Sequence, residues 1–475
     1  MKAIKAEAAD NLPLSQNEEN EGPEGWVFPQ IRDILEINYG KGLTEAKRKG
    51  GQIPVYGSNG VVGYHDAPLT DGQTIILGRK GTVGAVHFST GPCWPIDTTY
   101  FIHNFRGLRA EYVFYALRSI DLPGLDKSSA IPGINRDDIY SQAIPIPPLA
   151  EQERIVAKVD ELLTGVNAAR ERLAKVPGIL KRFRQAVLAA ACSGRLTADW
   201  RAGQTNLKPA LKRDDSVQDA FDDMAENWRS TKMRKLTTTI TSGSRGWAKY
   251  YCEKGAIFIR SHDINTDNLR LETVAHVNPP LGAEGRRTQV NSGDLLITIT
   301  GANVTRAALV RGKIPEAYIS QHVALVRLSN IEWGGFLYLW IISPAHGRKE
   351  LLDAAYGAGK PGLNLDNIRD LVVALPPVPE QHEIVRRVEA LFRLADAIEA
   401  RVAAATARAG KLTQAILAKA FRGELVPTEA ELARREGREY EPAAALLERL
   451  KEERRQTAHS QPPRKTKRKT GISGR

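Results

Sequence analysis

Cysteine is scarce in this chain. Cys93, Cys192 and Cys252 are odd in number and far apart, forming neither a disulfide framework nor a zinc-ligand spacing. That points to a reducing, cytoplasmic setting. Histidine is sparse too and never falls at metal-ligand spacing, so no metal site is expected. No apolar run reaches the roughly 18 residues that cross a membrane, and the opening residues lack the apolar core of a signal peptide. Recognisable catalytic motifs are also missing. There is no Gly-x-Ser-x-Gly elbow. Asn278-Pro279-Pro280-Leu281 imitates an adenine-methyltransferase loop, but Leu281 stands where an aromatic would stack on a flipped base. Gly357-Ala358-Gly359-Lys360-Pro361 imitates a phosphate loop, but Pro361 replaces the hydroxyl that would hold magnesium.

What is present is an ordinary soluble composition, 42% hydrophobic and 26% charged, on a chain too long for one core. The formal net charge is +12. Half of it comes from Gln461–Arg475, which holds six basic residues and no acid, so the remainder is only mildly basic. The balance suggests a polyanionic partner without proving one.

The informative feature is a repeat. Pro147-Pro148-Leu149-Ala150-Glu151-Gln152 returns as Pro376-Pro377-Val378-Pro379-Glu380-Gln381, at an offset of 229 (376 minus 147) that holds to Gly194 and Gly423. Roughly 18 of 50 aligned positions are identical, which makes the two copies one duplicated element. Each copy carries apolar residues at alternating steps of four and three. In the first these include Ile155, Val159, Leu162, Val166 and Leu173; in the second, Ile384, Val388, Leu391, Ile398 and Val402. Such a seam predicts a long helix in a coiled coil, and these ten residues are its expected contact line. Pro177-Gly178 predicts a kink or break in the first copy.

Between and around the helices the texture is β. Short runs such as Thr74–Leu77, Ala85–Phe88, Gly255–Ile259 and Asp294–Ile297 are separated by Gly, Asn and Pro turns. The turn Pro132-Gly133-Ile134-Asn135 recurs as Pro361-Gly362-Leu363-Asn364 at the same offset, with Asn135 placed to cap a short helix. Elsewhere the β segments match poorly. Gly72–Val86 and Gly293–Val310 share only a strand–turn–strand rhythm, with Lys80-Gly81 roughly opposite Thr300-Gly301. The pattern is that of one scaffold holding two different readers.

These residues carry a family resemblance. The doubled Pro-Pro-x-x-Glu-Gln helix closing a β-rich domain resembles the specificity subunit of type I restriction-modification systems, as do Ala191–Thr197 and Glu441–Leu450. The resemblance spans about Trp26 to Arg455. It implies an α+β fold with a pseudo-twofold internal repeat: two mostly β target recognition domains separated by two long helices packed as an antiparallel coiled coil. The implied layout is an acidic disordered arm 1–25, recognition domains 26–146 and 227–375, and helical regions 147–200 and 376–425. A linker at 201–226, a charged helical extension at 426–459 and a basic disordered tail at 460–475 complete it.

The family further implies double-stranded DNA as ligand and a non-catalytic role. Two methylation subunits would dock on the helices, with restriction subunits in the larger complex. S-adenosylmethionine, magnesium and ATP would sit on those partners and none on this chain. A seam from 155 to 187 would be ~48 Å long, on the order of 14 base pairs, enough to hold readers about one DNA turn apart.

Turn residues able to donate to base edges are the natural contacts. In the first domain these are Ser58, Asn59, Arg79, Lys80 and Thr82; in the second, Arg245, Arg260, Asn303, Arg306, Gln321 and His322. The competing readings are an orphan coiled-coil DNA-binding scaffold without sequence preference and a fused DNA methyltransferase.

Overall fold

The computed structural model describes residues 22–459 apart from 128–131, 218–220, 222–224, 226, 244, 280–284, 358 and 360. Most of the expected acidic arm, the basic tail, and part of each enzyme-like fragment (Pro280-Leu281, Ala358 and Lys360) therefore lie outside the described residues. Residues 22–25, assigned to the arm, are ordered instead. The Gly25 carbonyl accepts the Ala443 N–H at 3.0 Å, and Glu24 pairs with Arg434 at 2.7 Å. The expected linker carries neither helix nor strand over 204–217.

The chain divides into two compact units, 1–172 with 405–475, and 173–404. The helical regions are not separate bodies, because each long helix gives one half to each unit. These helices are Leu149–Cys192 and Val378–Phe421. In the first unit Ile155, Val159, Leu163 and Val166 share a core with Ile416, Leu417, Ala420 and Phe421. In the second, Val187, Leu188 and Ala191 share one with Ile384 and Val388. The start of one helix thus meets the end of the other, the antiparallel arrangement. Arg184 ties the pair together, donating to Asp396 at 2.6 Å and Glu399 at 2.9 Å.

All ten expected seam residues are buried or half-buried. The seam departs from the pattern at Leu412, which is half exposed while Thr413 is buried. Of the kink or break expected at Pro177, no break occurs: the helix runs through it. Val176 and buried Leu180 hold the flanking turns on the seam, while Pro177 and Gly178 face outward.

Each unit contains a β domain, and the main sheets of the two have the same strand order. In the first, strands Asn38–Tyr39, Thr99–Ile102, Thr74–Gly78 and Val86–Ser89 lie side by side in that order, all antiparallel. In the second, the order is Thr237–Ser242, Val323–Leu328, Leu295–Thr298 and Ala307–Leu309, again antiparallel. A second sheet in each contains a hairpin-like pair and one parallel partner: Ile53–Gly57 beside Trp94–Pro95, and Ala256–Ile259 beside Ala317–Ile319. One helix follows each domain's last long strand, Ala110–Ser119 in the first and Gly334–Ile342 in the second.

The chain enters and leaves each domain along paired segments. Val27 bridges Ile146 in the first, and Arg229–Lys232 pairs with Val372–Leu375 in the second. This pairing sets Trp26 and Trp228 against the starts of the long helices.

Candidate nucleic-acid interface

The turn that follows Thr74–Gly78 is closed by two backbone bonds, Gly78 N–H to the Ala85 carbonyl at 2.7 Å and Gly84 N–H to the Gly78 carbonyl at 2.9 Å. Gly81 and Gly84 take left-handed backbone, φ +81° and +73°. The 79–84 turn also packs against the hairpin tip at Ser58, whose carbonyl meets the His87 ring at 3.0 Å. Ser58, Asn59, Arg79, Lys80 and Thr82 are therefore brought together, with Asn59, Lys80 and Thr82 exposed.

Arg79 is held firmly. Its guanidinium lies over the rings of Tyr39 and Tyr100, 5.1 and 5.6 Å from their centroids, and donates to the Asp97 carbonyl at 3.3 Å. Arg136 takes another position over the Tyr39 ring at 5.0 Å. Burial raises the Tyr100 phenol above its ordinary range, so it stays protonated and donates to the Ile134 carbonyl at 3.1 Å. Lys80 is bridged through its backbone to Gly133. The result is an open cleft of about 320 Å³ with Tyr39, Lys80, Lys127, Asn135 and Asp138 on its walls.

Tyr39, Lys127, Asn135 and Arg136 were not among the residues expected from sequence. The repeated Pro-Gly-x-Asn turn was the signal that could have found Asn135. Its expected capping role is not realised: the Asn135 side chain makes no cap bond, whereas Asn364 and Asn367 cap each other reciprocally at 2.8 Å. The residue corresponding to Asn367 is Asp138, whose carboxylate is drawn to Lys127 at 3.1 Å.

The second domain reproduces most of this frame. The Ile134 N–H donates to the Arg79 carbonyl at 3.1 Å and the Leu363 N–H to the Ile299 carbonyl at 2.8 Å. Arg79 N–H bonds Thr98 at 3.0 Å, and Ile299 N–H bonds His322 at 2.9 Å. Lys80 bridges Gly133, and Thr300 bridges Gly362. Gly81 corresponds to Gly301, φ +86°, and Gly84 to Thr305, φ +68°. Gly40 and Gly243 correspond as well, each so close to a neighbouring backbone carbonyl that any Cβ would overlap it.

On this frame the side chains differ. Thr300 shares a hydrogen bond with the His322 ring, whose other nitrogen meets Gln321 Nε2 at 3.2 Å. Asn303 donates to the Ser261 carbonyl at 3.3 Å. Arg260 is engaged locally, its Nε 3.2 Å from Asp263, and Arg306 pairs with Asp267 at 3.2 Å. Arg245 is exposed shortly after Gly243, where a Cβ would overlap the carbonyls of Ile319 and Ser320. Gln321, His322 and Asn303 thus gather at the turn, while the Arg260 and Arg306 guanidiniums are bound to carboxylates, Asp263 and an Asp267 that also accepts the Ala307 N–H at 3.2 Å.

The sequence profile of the type I restriction modification DNA specificity domain matches residues 23–176 and 282–405, more than half of the chain. The chain belongs to that family. Among its specificity-subunit relatives, the EcoBI specificity subunit of Escherichia coli is 32% identical over 459 residues, covering 94% of this chain and 90% of the relative. The StySPI specificity subunit of Salmonella potsdam is 35% identical over 325 residues, 66% of this chain and 64% of that one. A chain from a solved type I R-M system has the same fold, with TM-score 0.62 at 18% identity over 86% of this chain and 100% of its own length. The type I specificity fold thus accounts for the doubled domains and helices. Among the described residues no cluster of side chains could hold a metal ion, and no helix is long and apolar enough to cross a membrane.

Proposed function

We propose that this chain reads a split double-stranded DNA target, one half-site per β domain, and directs partner subunits without performing chemistry itself. One observation supports this reading best. Two turns with the same hydrogen-bond register carry Arg79 and Lys80 in one domain and Ile299 and Thr300 in the other. A scaffold indifferent to sequence has no use for two chemistries at one register. Polar groups on turns suit base edges in the major groove, and the positive balance suits phosphate.

In keeping with relatives named as specificity subunits, two methylation subunits would dock on the long helices, and restriction subunits would join the fuller assembly in the cytoplasm. S-adenosylmethionine, magnesium and ATP would be bound by those partners.

The test is to co-express the chain with its methylation subunit and map methylated adenines across the host genome. A split motif with a fixed spacer is the expected result. Salt-dependent binding with no preference among duplexes would favour the orphan scaffold. Methylation by this chain alone with S-adenosylmethionine would overturn the non-catalytic role.

A further inference from the structure

We infer that Lys80 and Thr300, at one register position in the two frames, determine which base each half-site accepts there, with Lys80 selecting guanine. This rests on the reading of DNA by these turns.

The backbone of Lys80 is fixed on both sides. Its N–H donates to the Thr98 carbonyl at 3.1 Å, and it bridges Gly133 across the turn. The side chain starts from a defined point and is exposed. Its neighbour Arg79 is committed to the Tyr39 and Tyr100 rings and to the Asp97 carbonyl. Across the cleft Lys127 is committed to Asp138. Among the described residues of this cleft, Lys80 is the cation placed to reach outward.

An ammonium offers three donors and no acceptor. In the major groove guanine presents two adjacent acceptors, O6 and N7, whereas adenine sets a donor beside its N7 and cytosine presents a donor. A lysine at this point therefore favours guanine. Thr300 joins the His322 and Gln321 side chains in a network that both donates and accepts. Such a network does not single out the base with two acceptors. The two half-sites should differ at this position for that reason.

The experiment uses the full chain co-expressed with its methylation subunit, comparing wild type with Lys80→Thr, Lys80→Arg and Thr300→Lys by mapping methylated adenines. In wild type the first half-site should contain a guanine that Lys80→Thr relaxes, with preference for it falling by ~10-fold or more while the other half-site and the spacer stay fixed. Lys80→Arg should keep that guanine. Thr300→Lys should introduce a guanine preference in the second half-site alone. An unchanged motif in Lys80→Thr, with methylation either intact or lowered evenly at all sites, would overturn the inference and make Lys80 a phosphate contact at most. Thermal unfolding of each complex separates misfolding from lost readout, and the half-buried Thr300→Lys and exposed Lys80→Arg changes decide the matter if Lys80→Thr fails to assemble. A wild-type complex that methylates no split motif would instead sink the underlying reading of DNA.

Discussion

The Trp228 indole N–H donates to Glu380 at 3.1 Å, in a site where the carboxylate is fully buried. One copy earlier, Trp26 does the same to Glu151 at 2.9 Å. The adjacent glutamines, Gln152 and Gln381, turn back to the carbonyls of Pro147 and Pro376 at 3.0 and 2.7 Å. The Pro-Pro-x-x-Glu-Gln motif is therefore a clasp. It fixes the first turn of each long helix to the segment by which the chain enters the β domain.

The two clasps are completed differently, and this predicts unequal sensitivity. Glu380 also accepts from Thr197 Oγ1 and Arg201 Nη1, both at 2.8 Å, while Glu151 accepts the backbone N–H of Glu429 at 2.8 Å. Glu380→Ala leaves a mostly buried guanidinium with the Gly194 carbonyl but no carboxylate, and strands a hydroxyl and an indole. The expected cost is about 3 kcal/mol, or about 6–12 °C in Tm for a unit of this size. Glu151→Ala strands only neutral N–H donors and should cost about 1–3 kcal/mol. Equal shifts in differential scanning calorimetry would contradict the asymmetry.

Acid stability follows from the same region. Arg386 and Arg387, bonded to Glu383 at 2.6–2.7 Å, hold its carboxyl down from 4.5 to about 2. The unfolded chain then binds the proton more readily than the folded one. Stability from this group is complete above about 4.5 and is lost as pH falls toward about 2. Glu383→Gln should flatten that part of the unfolding profile, lowering stability above about 4.5 and changing little below about 2. Glu151 has the opposite sign: burial raises its carboxyl, so its charged form costs stability once pH rises past the ordinary range.

The two corresponding turns offer a third test, because one left-handed position is glycine in one frame and threonine in the other. A Cβ on Gly84 would meet the Pro123 nitrogen at 2.5 Å and the Leu122 carbonyl carbon at 2.8 Å, besides being strained at φ +73°. Gly84→Ala should therefore destabilise by about 2–4 kcal/mol. Thr305 already carries the strain at φ +68°. Thr305→Gly relieves it at a smaller cost in chain entropy, so a change between zero and about +1 kcal/mol is expected. Urea unfolding monitored by tryptophan fluorescence reads both variants, and a destabilised Thr305→Gly would refute the account.

These cases mark what the sequence discloses. The seam was legible because a 3.5-residue rhythm survives substitution of one apolar residue by another, as Val166 and Ala395 show. The likeness of the two β domains was mostly hidden. Gly40 answers to Gly243, Lys80 to Thr300 and Gly133 to Gly362, so the offset drifts as loops change length. What persists is backbone register, which leaves no mark on side-chain identity except at the glycines. For the same reason the ion pairs of Arg260 and Arg306 could not be read along the chain. Their carboxylate partners, Asp263 and Asp267, lie in loops whose approach depends on the fold, the latter on a residue with φ +62°. Tyr39 was missed because nothing along the chain places it beneath Arg79.

The last prediction concerns the proposed role of the long helices as a spacer. If they set the distance between half-sites, removing one heptad, 167–173, together with its mate in the other helix should shorten the recognised spacer. Seven residues rise ~10 Å, on the order of three base pairs. They also turn the helix through nearly two full revolutions, leaving the seam within ~20° of its original face. The deletion can therefore preserve packing while changing length, which removal of four or three residues would not. Methylation mapping of the deleted complex should return both half-sites intact with a spacer shorter by about three base pairs. An unchanged spacer would mean that the separation is set elsewhere, by the partner subunits or by bending of the DNA.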